Sequence, residues 1–289
     1  MPSLQHIKRK ITSVKSTQKI TKAMKMVAAA KLKRAQDRII AARPYARKMA
    51  DVLGRLSADV RRDIHPLLVK RECKKIEVLV VTADRGLCGG FNSNILRKAS
   101  EFISDKEGTY EVSLTLVGRK SKDFFEKRGC QVTQAWTNIF DRLSYQYATD
   151  IGNNLIKGFT IGTFDELYIV CSEFKSALQQ RIVIDKLLPI EAVKVPEQSA
   201  AVEYIYEPSK ERIFEVLLPK YIEVQIFKVL LESVASELGA RMTAMDAASR
   251  NASEMISKLT LAYNKTRQAT ITTELMDIVG GTEALSKQK

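Results

Sequence analysis

The longest regular pattern in the chain is an apolar seam near its C-terminus. Residues 219–279 contain no internal proline and one glycine, Gly239. Apolar residues recur there at steps of three and four, the spacing of one face of an α-helix. Eleven of thirteen seam positions are apolar, and the positions are Val224, Phe227, Leu231, Val234, Leu238, Met242, Met245, Ser249, Ala252, Ile256, Leu259, Tyr263 and Thr266. A helix this long would run about 90 Å, so it needs a partner along its length.

A second seam starts at the N-terminus, where Ser3 is placed to cap a helix. Fourteen of its sixteen positions are apolar, and the positions are Leu4, Ile7, Ile11, Val14, Gln18, Thr21, Met24, Ala28, Leu32, Ala35, Ile39, Ala42, Ala46, Met49, Leu53 and Leu56. Pro44 interrupts it, so a kink or a brief loss of pairing is expected there. Because the seams stand at opposite ends of the chain, they predict an antiparallel helical pair. The longer C-terminal helix should extend past the N-terminus as a single helix.

Between the seams the pattern becomes that of a sheet with helices. Short, β-branched apolar runs predict strands at 76–82, 111–117, 131–136, 166–171 and 180–184, with helices at 93–105, 121–128 and 144–158. Alternating strands and helices predict a mostly parallel sheet. The expected fold class is therefore α/β plus a long antiparallel α-helical coiled coil formed by the N- and C-terminal helices. Residues 1–56 and 209–289 would form the coiled-coil shaft, and residues 57–208 a Rossmann-like α/β domain.

Small residues gather where the two seams are expected to meet. Alanines and Gly239 cluster in residues 239–252, and further alanines in residues 23–35. Small side chains let helix axes approach closely, which would make a thin rod suited to a narrow channel. Ordinary alanine helix propensity explains the same pattern, and the sequence leaves both explanations open.

The positive charge belongs to one segment. The formal net charge is +14, and residues 1–56 hold fifteen Lys or Arg against two acidic residues, a balance of +13. Three explanations are open for this basic helix: a solvated lysine face, a nucleic-acid-binding surface, or a surface that faces acidic protein side chains. Residues 1–44 contain no aromatic for base stacking, which weighs against nucleic acid.

Candidate catalytic chemistry is absent from the sequence pattern. The turn after the first strand has Gly86, Gly89 and Gly90 as G-x-x-G-G, whereas a dinucleotide fingerprint needs G-x-G-x-x-G. His6 and His65 have no ligand-spaced companions, and the four cysteines are scattered without a C-x-x-C pair. No run of eighteen apolar residues is present to span a membrane. We therefore expect no cofactor, no metal and no active site.

Three stretches together resemble the gamma subunit of F-type ATP synthase, in its bacterial form. They are residues 11–31 (ITSVKSTQKITKAMKMVAAAK), residues 84–90 (DRGLCGG) and residues 263–281 (YNKTRQA followed, after one threonine, by ITTELMDIVGG). Residues 204–208 (YIYEP) and 240–245 (ARMTAM) also match. One departure is Thr282, where the family usually has alanine. The matches span the chain from Ile11 to Gly281, and their combination is specific.

The resemblance implies a noncatalytic rotor that couples proton flow through the c-ring to conformational cycling of the catalytic beta subunits. Its partners would be the alpha and beta subunits, the epsilon subunit and the c-ring, with no nucleic acid. Position by position, the residues similar to beta-subunit contacts are Met24, Lys25, Arg85, Arg241, Arg267, Gln268, Thr272 and Glu274. Those similar to epsilon and c-ring contacts are Tyr204, Tyr206 and Glu207.

The resemblance also implies a peripheral location on the cytoplasmic face of a bacterial cell membrane, held there through the complex. Two rival classes remain beside it: a basic coiled-coil protein that binds nucleic acid, and a cofactor-dependent α/β enzyme. A salt titration against DNA distinguishes the first, since binding to phosphates weakens steeply with salt. A nucleotide thermal-shift assay distinguishes the second.

We expect the purified chain alone neither to bind nor to hydrolyse ATP, because its glycine turn lacks a phosphate-binding pattern. In a thermal-shift assay, saturating MgATP should leave the Tm unchanged, and a coupled assay should show no phosphate release. The assembled complex provides the positive control. Sustained turnover by the isolated chain would contradict this prediction.

Overall fold

The computed structural model describes residues 3–58, 65–177, 179–190 and 210–286. Spatial contacts divide the chain into two compact units, Met1–Val27 with Ala244–Lys289, and Ala28–Thr243. The two long helices contribute to both units: α1 is Leu4–Ala58 and α5 is Lys210–Ser286. This division does not test the domains expected from the sequence, a shaft of residues 1–56 and 209–289 and an α/β domain of residues 57–208, and those domains stay a prediction.

The larger unit, Ala28–Thr243, is built on a five-stranded sheet. Its strands are β1 (Lys75–Val81), β2 (Glu111–Val117), β3 (Val132–Trp136), β4 (Glu166–Phe174) and β5 (Gln180–Leu188). Its shorter helices are α2 (Phe91–Glu107), α3 (Arg119–Glu126) and α4 (Tyr145–Thr160). The strand order is β3-β2-β1-β4-β5, with β5 antiparallel to β4 and the other pairs parallel. The predicted mostly parallel sheet and its α/β class are confirmed.

The two faces of the sheet bury different sets of side chains, because successive residues of a strand point to opposite faces. On β1, Val78 belongs to a cluster with Ile95 of α2. Its neighbour Leu79 belongs to a cluster with Ile151 of α4 and Phe214 of α5. The first turns of α5 therefore form part of the core under the sheet.

Helices α1 and α5 pack against each other in this unit. One apolar cluster joins them, and its members are Leu32, Ala35, Ile39, Leu231, Ala235 and Leu238. Further along α1, Met49 and Leu53 share a cluster with Phe214 and Leu218, so residue numbers rise along α1 as they fall along α5. The predicted antiparallel pair is confirmed.

The pairing loosens beside Pro44 without breaking the helix. Helix α1 runs through Pro44 uninterrupted. A cavity of about 880 Å³ lies next to it between α1 and α5, with Ala42, Ala46 and Val224 among its lining residues. Alanine side chains are too small to fill the space between two helices, so the helix continues while its packing thins.

The smaller unit consists of the first part of α1 and the last part of α5. The cap predicted at Ser3 is confirmed, since the His6 backbone N–H donates to the Ser3 hydroxyl at 3.3 Å. Ile7 and Thr21 of α1 are buried, as are Met245 and Ala252 of α5. Residues 271–280 are all exposed, as expected for a single-helix extension.

A carboxylate is buried inside the sheet. Glu77 of β1 is 1% exposed and accepts hydrogen bonds from the hydroxyls of Ser113, Thr115 and Thr133. Burial raises the pKa of Glu77, and the three hydroxyl donors offset only part of that effect. Neighbouring strands thus share a polar network in place of apolar packing at this point.

Gly118 is the N-cap of α3 and has a φ of 97°. A Cβ at this position would lie 2.3 Å from the Thr82 carbonyl oxygen, whereas a Cβ at Gly129, with a φ of 70°, would meet nothing within 4 Å. We expect Gly118→Ala to lower the free energy of unfolding by about 3 kcal/mol or more, since it adds a clash to backbone strain. Gly129→Ala, the matched control, should cost about 1 kcal/mol. Urea denaturation measures both, and equal losses would contradict the argument.

The buried position of Glu77 predicts a pH dependence of stability. Because its folded pKa lies above the ordinary value of 4.5, the folded chain holds the proton more tightly than the unfolded chain. The free energy of unfolding should therefore fall as the pH rises from about 4.5 through the folded pKa, and Glu77→Gln should remove this fall.

Glu166 supplies the control for that measurement. Burial opposes the shift, but hydrogen bonds from Lys186 and Tyr168 lower the pKa of Glu166. Glu166→Gln should therefore reduce stability above pH 4.5, the opposite sign to Glu77→Gln. Urea denaturation between pH 4.5 and pH 8 separates them, because Glu77→Gln should change the slope of stability against pH and Glu166→Gln should lower stability by a constant amount. A wild-type slope in Glu77→Gln, or wild-type stability in Glu166→Gln, would refute the assignment.

Candidate functional site

Lys25, one of the residues similar to a beta-subunit contact, is paired with an acid of its own chain. Its Nζ lies 2.5 Å from Oδ1 of Asp246 on α5, while Oδ2 of Asp246 lies 3.2 Å from Arg250. The hydrogen bond from Lys25 is the main cause that lowers the pKa of Asp246. Met24 beside it is a half-buried seam residue. Part of the positive charge at this position is therefore already balanced.

Four predicted contact residues lie together on an open part of α5. Arg267, Gln268, Thr272 and Glu274 are all exposed. At 100° per residue they fall within about 160° of the helix circumference. The Thr272 hydroxyl donates to the Gln268 carbonyl at 2.9 Å, which leaves its oxygen able to accept from a partner. The four side chains therefore share one exposed side of α5.

The end of α5 is apolar as well as exposed. Five large apolar side chains there are between 46% and 68% exposed, and they are Ile271, Leu275, Met276, Ile278 and Val279. An exposed apolar group of this kind marks an interaction surface in a folded protein.

The other two predicted beta-contact residues meet at the glycine-rich turn, residues 84–90. Arg85 is exposed and its Nη2 lies 2.9 Å from Oδ2 of Asp141. The Arg241 side chain is 18% exposed and donates from Nη2 to the Gly86 carbonyl at 3.1 Å. The same Nη2 lies 2.7 Å from Oε1 of Glu237, one helical turn earlier on α5. Arg241 is thus occupied within its own chain, while Arg85 is accessible.

A basic cleft lies beside this turn. Its volume is about 230 Å³, and its basic lining residues are Lys31, Arg34, Arg38, Arg85 and Arg241. The three on α1 are exposed and make no ion pair within 4 Å among the described residues. Three acidic residues, Asp84, Asp141 and Glu237, also line the cleft, so its five basic residues leave it with an excess of positive charge.

Sequence reasoning missed the acidic partners of these cations. Asp246 and Glu237 were not singled out, although each stands four residues before an arginine of α5, a spacing typical of ion pairs on one helix. Burial raises the pKa of Glu237, and Arg241 opposes that shift. The pairing of Asp246 with Lys25 joins residues 221 positions apart, so no local pattern could have indicated it.

The residues predicted for the epsilon and c-ring contact, Tyr204, Tyr206 and Glu207, lie outside the described residues. In the part of the chain that is described, no group of three or more His, Cys, Asp or Glu is placed to hold a metal ion. Nor does any helix within those ranges combine the length and apolarity that crossing a bilayer requires.

Comparison with known proteins covers the whole chain. A family model described as ATP synthase matches residues 3–285. The ATP synthase gamma chain of Geobacter sp. (strain M21) is 52% identical over 286 residues, 99% of each chain. The ATP synthase gamma chain of Pelotomaculum thermopropionicum is 48% identical over 285 residues, 99% of this chain and 100% of that one.

Solved structures give the same picture of the fold. A chain of the central stalk and c-ring structure of Tetrahymena thermophila mitochondrial ATP synthase is 25% identical, with a TM-score of 0.61 over 80% of this chain and 99% of that one. A chain of the Euglena gracilis mitochondrial ATP synthase assembly is 21% identical, with a TM-score of 0.69 over 98% and 94%. The second likeness bears on the fold alone.

Proposed function

The chain belongs to the ATP synthase family, among its gamma chains, and from this we propose that it is the central-stalk rotor subunit of an F-type ATP synthase. The observation that carries the proposal is 52% identity to a gamma chain across 99% of both chains. As a gamma chain it is noncatalytic, and the nucleotide chemistry belongs to the beta subunits. It couples proton flow through the c-ring to conformational cycling of those subunits.

Rotation is coupled to catalysis through contacts that differ between the conformations of a beta subunit. A rotor changes the nucleotide affinity of a beta subunit only if its contacts favour one conformation of that subunit over another. Side chains that are accessible and not already paired are suited to this role. Arg267, Gln268 and Glu274 meet both conditions among the described residues, and the oxygen of exposed Thr272 can still accept a hydrogen bond, so we assign the four to the beta-subunit contact.

Three of the four remaining beta-contact residues fall into two groups. Arg85 is exposed, and its surface pair with Asp141 is of the kind that contributes little, so it can exchange partners. Met24 and Lys25 lie on the seam between α1 and α5, where Lys25 is held by Asp246. We propose that Met24 and Lys25 act beside the α5 contact residues of their own unit, and that Arg85 makes a separate, direct contact with a beta subunit.

The alpha and beta subunits, the epsilon subunit and the c-ring are the proposed partners. Support comes from the gamma-chain relatives and from the 25% identical chain of a solved central stalk and c-ring structure. The apolar end of α5, Ile271 to Val279, suits an apolar sleeve formed by the ring of alpha and beta subunits. Tyr204, Tyr206 and Glu207 are proposed for the epsilon and c-ring contact on the sequence resemblance.

The chain reaches the membrane through the complex. We propose a peripheral position on the cytoplasmic face of a bacterial cell membrane, supported by the resemblance to bacterial gamma subunits. The alternative function, a basic coiled coil that binds nucleic acid, gains no support from the relatives, which are ATP synthase gamma chains over their full length.

Co-purification with tagged alpha and beta subunits tests the proposal. We expect the chain to bring down a stoichiometric alpha–beta ring and to support ATP hydrolysis by it. The double variant Arg267→Ala, Gln268→Ala should lower that hydrolysis about tenfold or more, because it removes hydrogen bonds that involve a charged group.

Thr273→Ala is the control for that variant. Thr273 is exposed and donates to the Ala269 carbonyl at 3.0 Å, much as Thr272 donates to Gln268, but it lies on the opposite side of α5. We expect hydrolysis of its complex to match the wild type. Failure of the wild-type chain to retain the ring would contradict the proposed function, and equal losses in both variants would contradict the assigned contact surface.

A further inference from the structure

The glycine-rich turn, residues 84–90, is fastened at both of its ends. At the start, Oδ1 of Asp84 accepts hydrogen bonds from the backbone N–H groups of Arg119 at 3.0 Å and Asn138 at 2.8 Å. Just past the end, Oδ1 of Asn92 accepts from the Ala83 N–H at 3.0 Å. These bonds fix where the chain leaves β1 and where it enters α2.

The apex of the turn is held differently. Leu87 has a φ of 62° and is 66% exposed, so it packs on little of the domain. At Gly86 the carbonyl accepts from Arg241 of α5 at 3.1 Å. Among the hydrogen bonds of the described residues, this is the one that joins α5 to the turn.

The Arg241 side chain is largely buried where it contacts the turn. Its side chain is 18% exposed, and the Glu237 side chain beside it is 12% exposed. A guanidinium and a carboxylate that have lost most of their water are stabilised by each other, so neither is free to swing towards a partner protein. The hydrogen bond from Nη2 directs the side chain at the Gly86 carbonyl, while Nε of Arg241 and Oε1 of Glu237 make no hydrogen bond among the described residues.

Arg85 precedes Gly86 in the same turn. Its pair with Asp141 is exposed on both sides, at 71% and 62%. Exposed pairs of this kind restrain a side chain weakly. The Arg85 backbone is held from two sides. Its own carbonyl accepts from Nδ2 of Asn92 on α2 at 3.2 Å, and the carbonyl of the next residue, Gly86, accepts from Arg241 on α5.

We propose that Arg241, supported by Glu237, is a positioning residue. Its hydrogen bond to the Gly86 carbonyl, which we call the clasp, makes the turn move with α5. This inference rests on the proposed rotor function and reassigns Arg241 from a direct beta-subunit contact to an internal one. Arg85, the accessible residue of the turn, then meets the beta subunit at a position set by the rotation of α5. Without the clasp the turn could move relative to α5, so a rotation of α5 would displace Arg85 by a smaller amount.

Cys88 provides a reporter for the clasp inside the turn itself. It is 1% exposed, and Cys171 of β4, at 2%, is an equally buried thiol away from the turn. With Cys73 and Cys130 replaced by serine, the full chain can be labelled with a thiol reagent under native conditions. Labelling of Cys88 then measures how often the turn opens.

We expect Arg241→Ala to raise the labelling rate of Cys88 about tenfold or more, while the rate of Cys171 stays unchanged. Arg250→Ala is the matched control, because Arg250 is also an α5 arginine paired with an acid four residues earlier, Asp246 at 3.2 Å, and it belongs to the other compact unit. It should leave both rates unchanged. An unchanged Cys88 rate in Arg241→Ala would overturn the clasp, and so would equal rises at both cysteines, which indicate general unfolding.

The assembled, membrane-bound complex tests the consequence. Arg241→Ala should lower the ratio of protons pumped to ATP hydrolysed, with hydrolysis itself reduced less than twofold, and Arg250→Ala should preserve the ratio. Faster labelling of Cys88 with a wild-type pumping ratio would refute the positioning role while leaving the clasp intact. Absence of an alpha–beta ring with the wild-type chain would refute the proposed function instead, so the two failures are distinguishable.

Discussion

The apolar contact between α1 and α5 is the interaction on which the other features depend. Neither helix is stable alone in water, because most helical stability in proteins comes from packing an apolar face. Burying side chains such as Leu32, Ile39, Leu231 and Leu238 supplies about 1.5–3 kcal/mol each. The same two helices also cover one face of the sheet, through residues such as Phe214. Loss of the seam would therefore remove the helix pair and expose part of the sheet's core together.

The seam was predictable residue by residue because periodicity is a local property. Every position assigned to it that the structure describes is buried or half-buried, from Leu4 to Leu53 on α1 and from Val224 to Thr266 on α5. Strand ends were less predictable. Strand β4 continues to Phe174 and β5 to Leu188, past the apolar runs, because the two strands pair with each other as a hairpin. The added residues include polar ones such as Glu173 and Lys186, which pair through their backbones, so an apolar run does not mark where the strand ends.

The predicted contact residues divide by a property that the sequence did not show, which is whether each cation already has an acid. Lys25, Arg85 and Arg241 have theirs in Asp246, Asp141 and Glu237, and of these three pairs the Arg241 pair is the largely buried one. Arg267 on the open end of α5 is exposed and without an ion pair among the described residues. A paired, buried cation shapes its own chain, and an exposed one is available to a partner subunit. Resemblance to the family identifies paired and unpaired cations alike as beta-subunit contacts. The geometry of each residue in this chain separates them.

Gly239 shows the same distinction between a general pattern and a local cause. Two explanations were open for the small residues near it, a thin rod and helix propensity. A Cβ at Gly239 would lie 3.1 Å from the carbonyl oxygen and 3.2 Å from the Cα of Ala177, in the hairpin between β4 and β5. The absence of a side chain therefore lets the hairpin approach α5, a reason that neither explanation contained. Because Arg241 follows two residues later and reaches the glycine-rich turn, α5 contacts two separate loops of the sheet within one helical turn. This short stretch of α5 therefore adds a contact with the loops of the sheet to the one that its first turns make with the core, and Gly239 makes room for it.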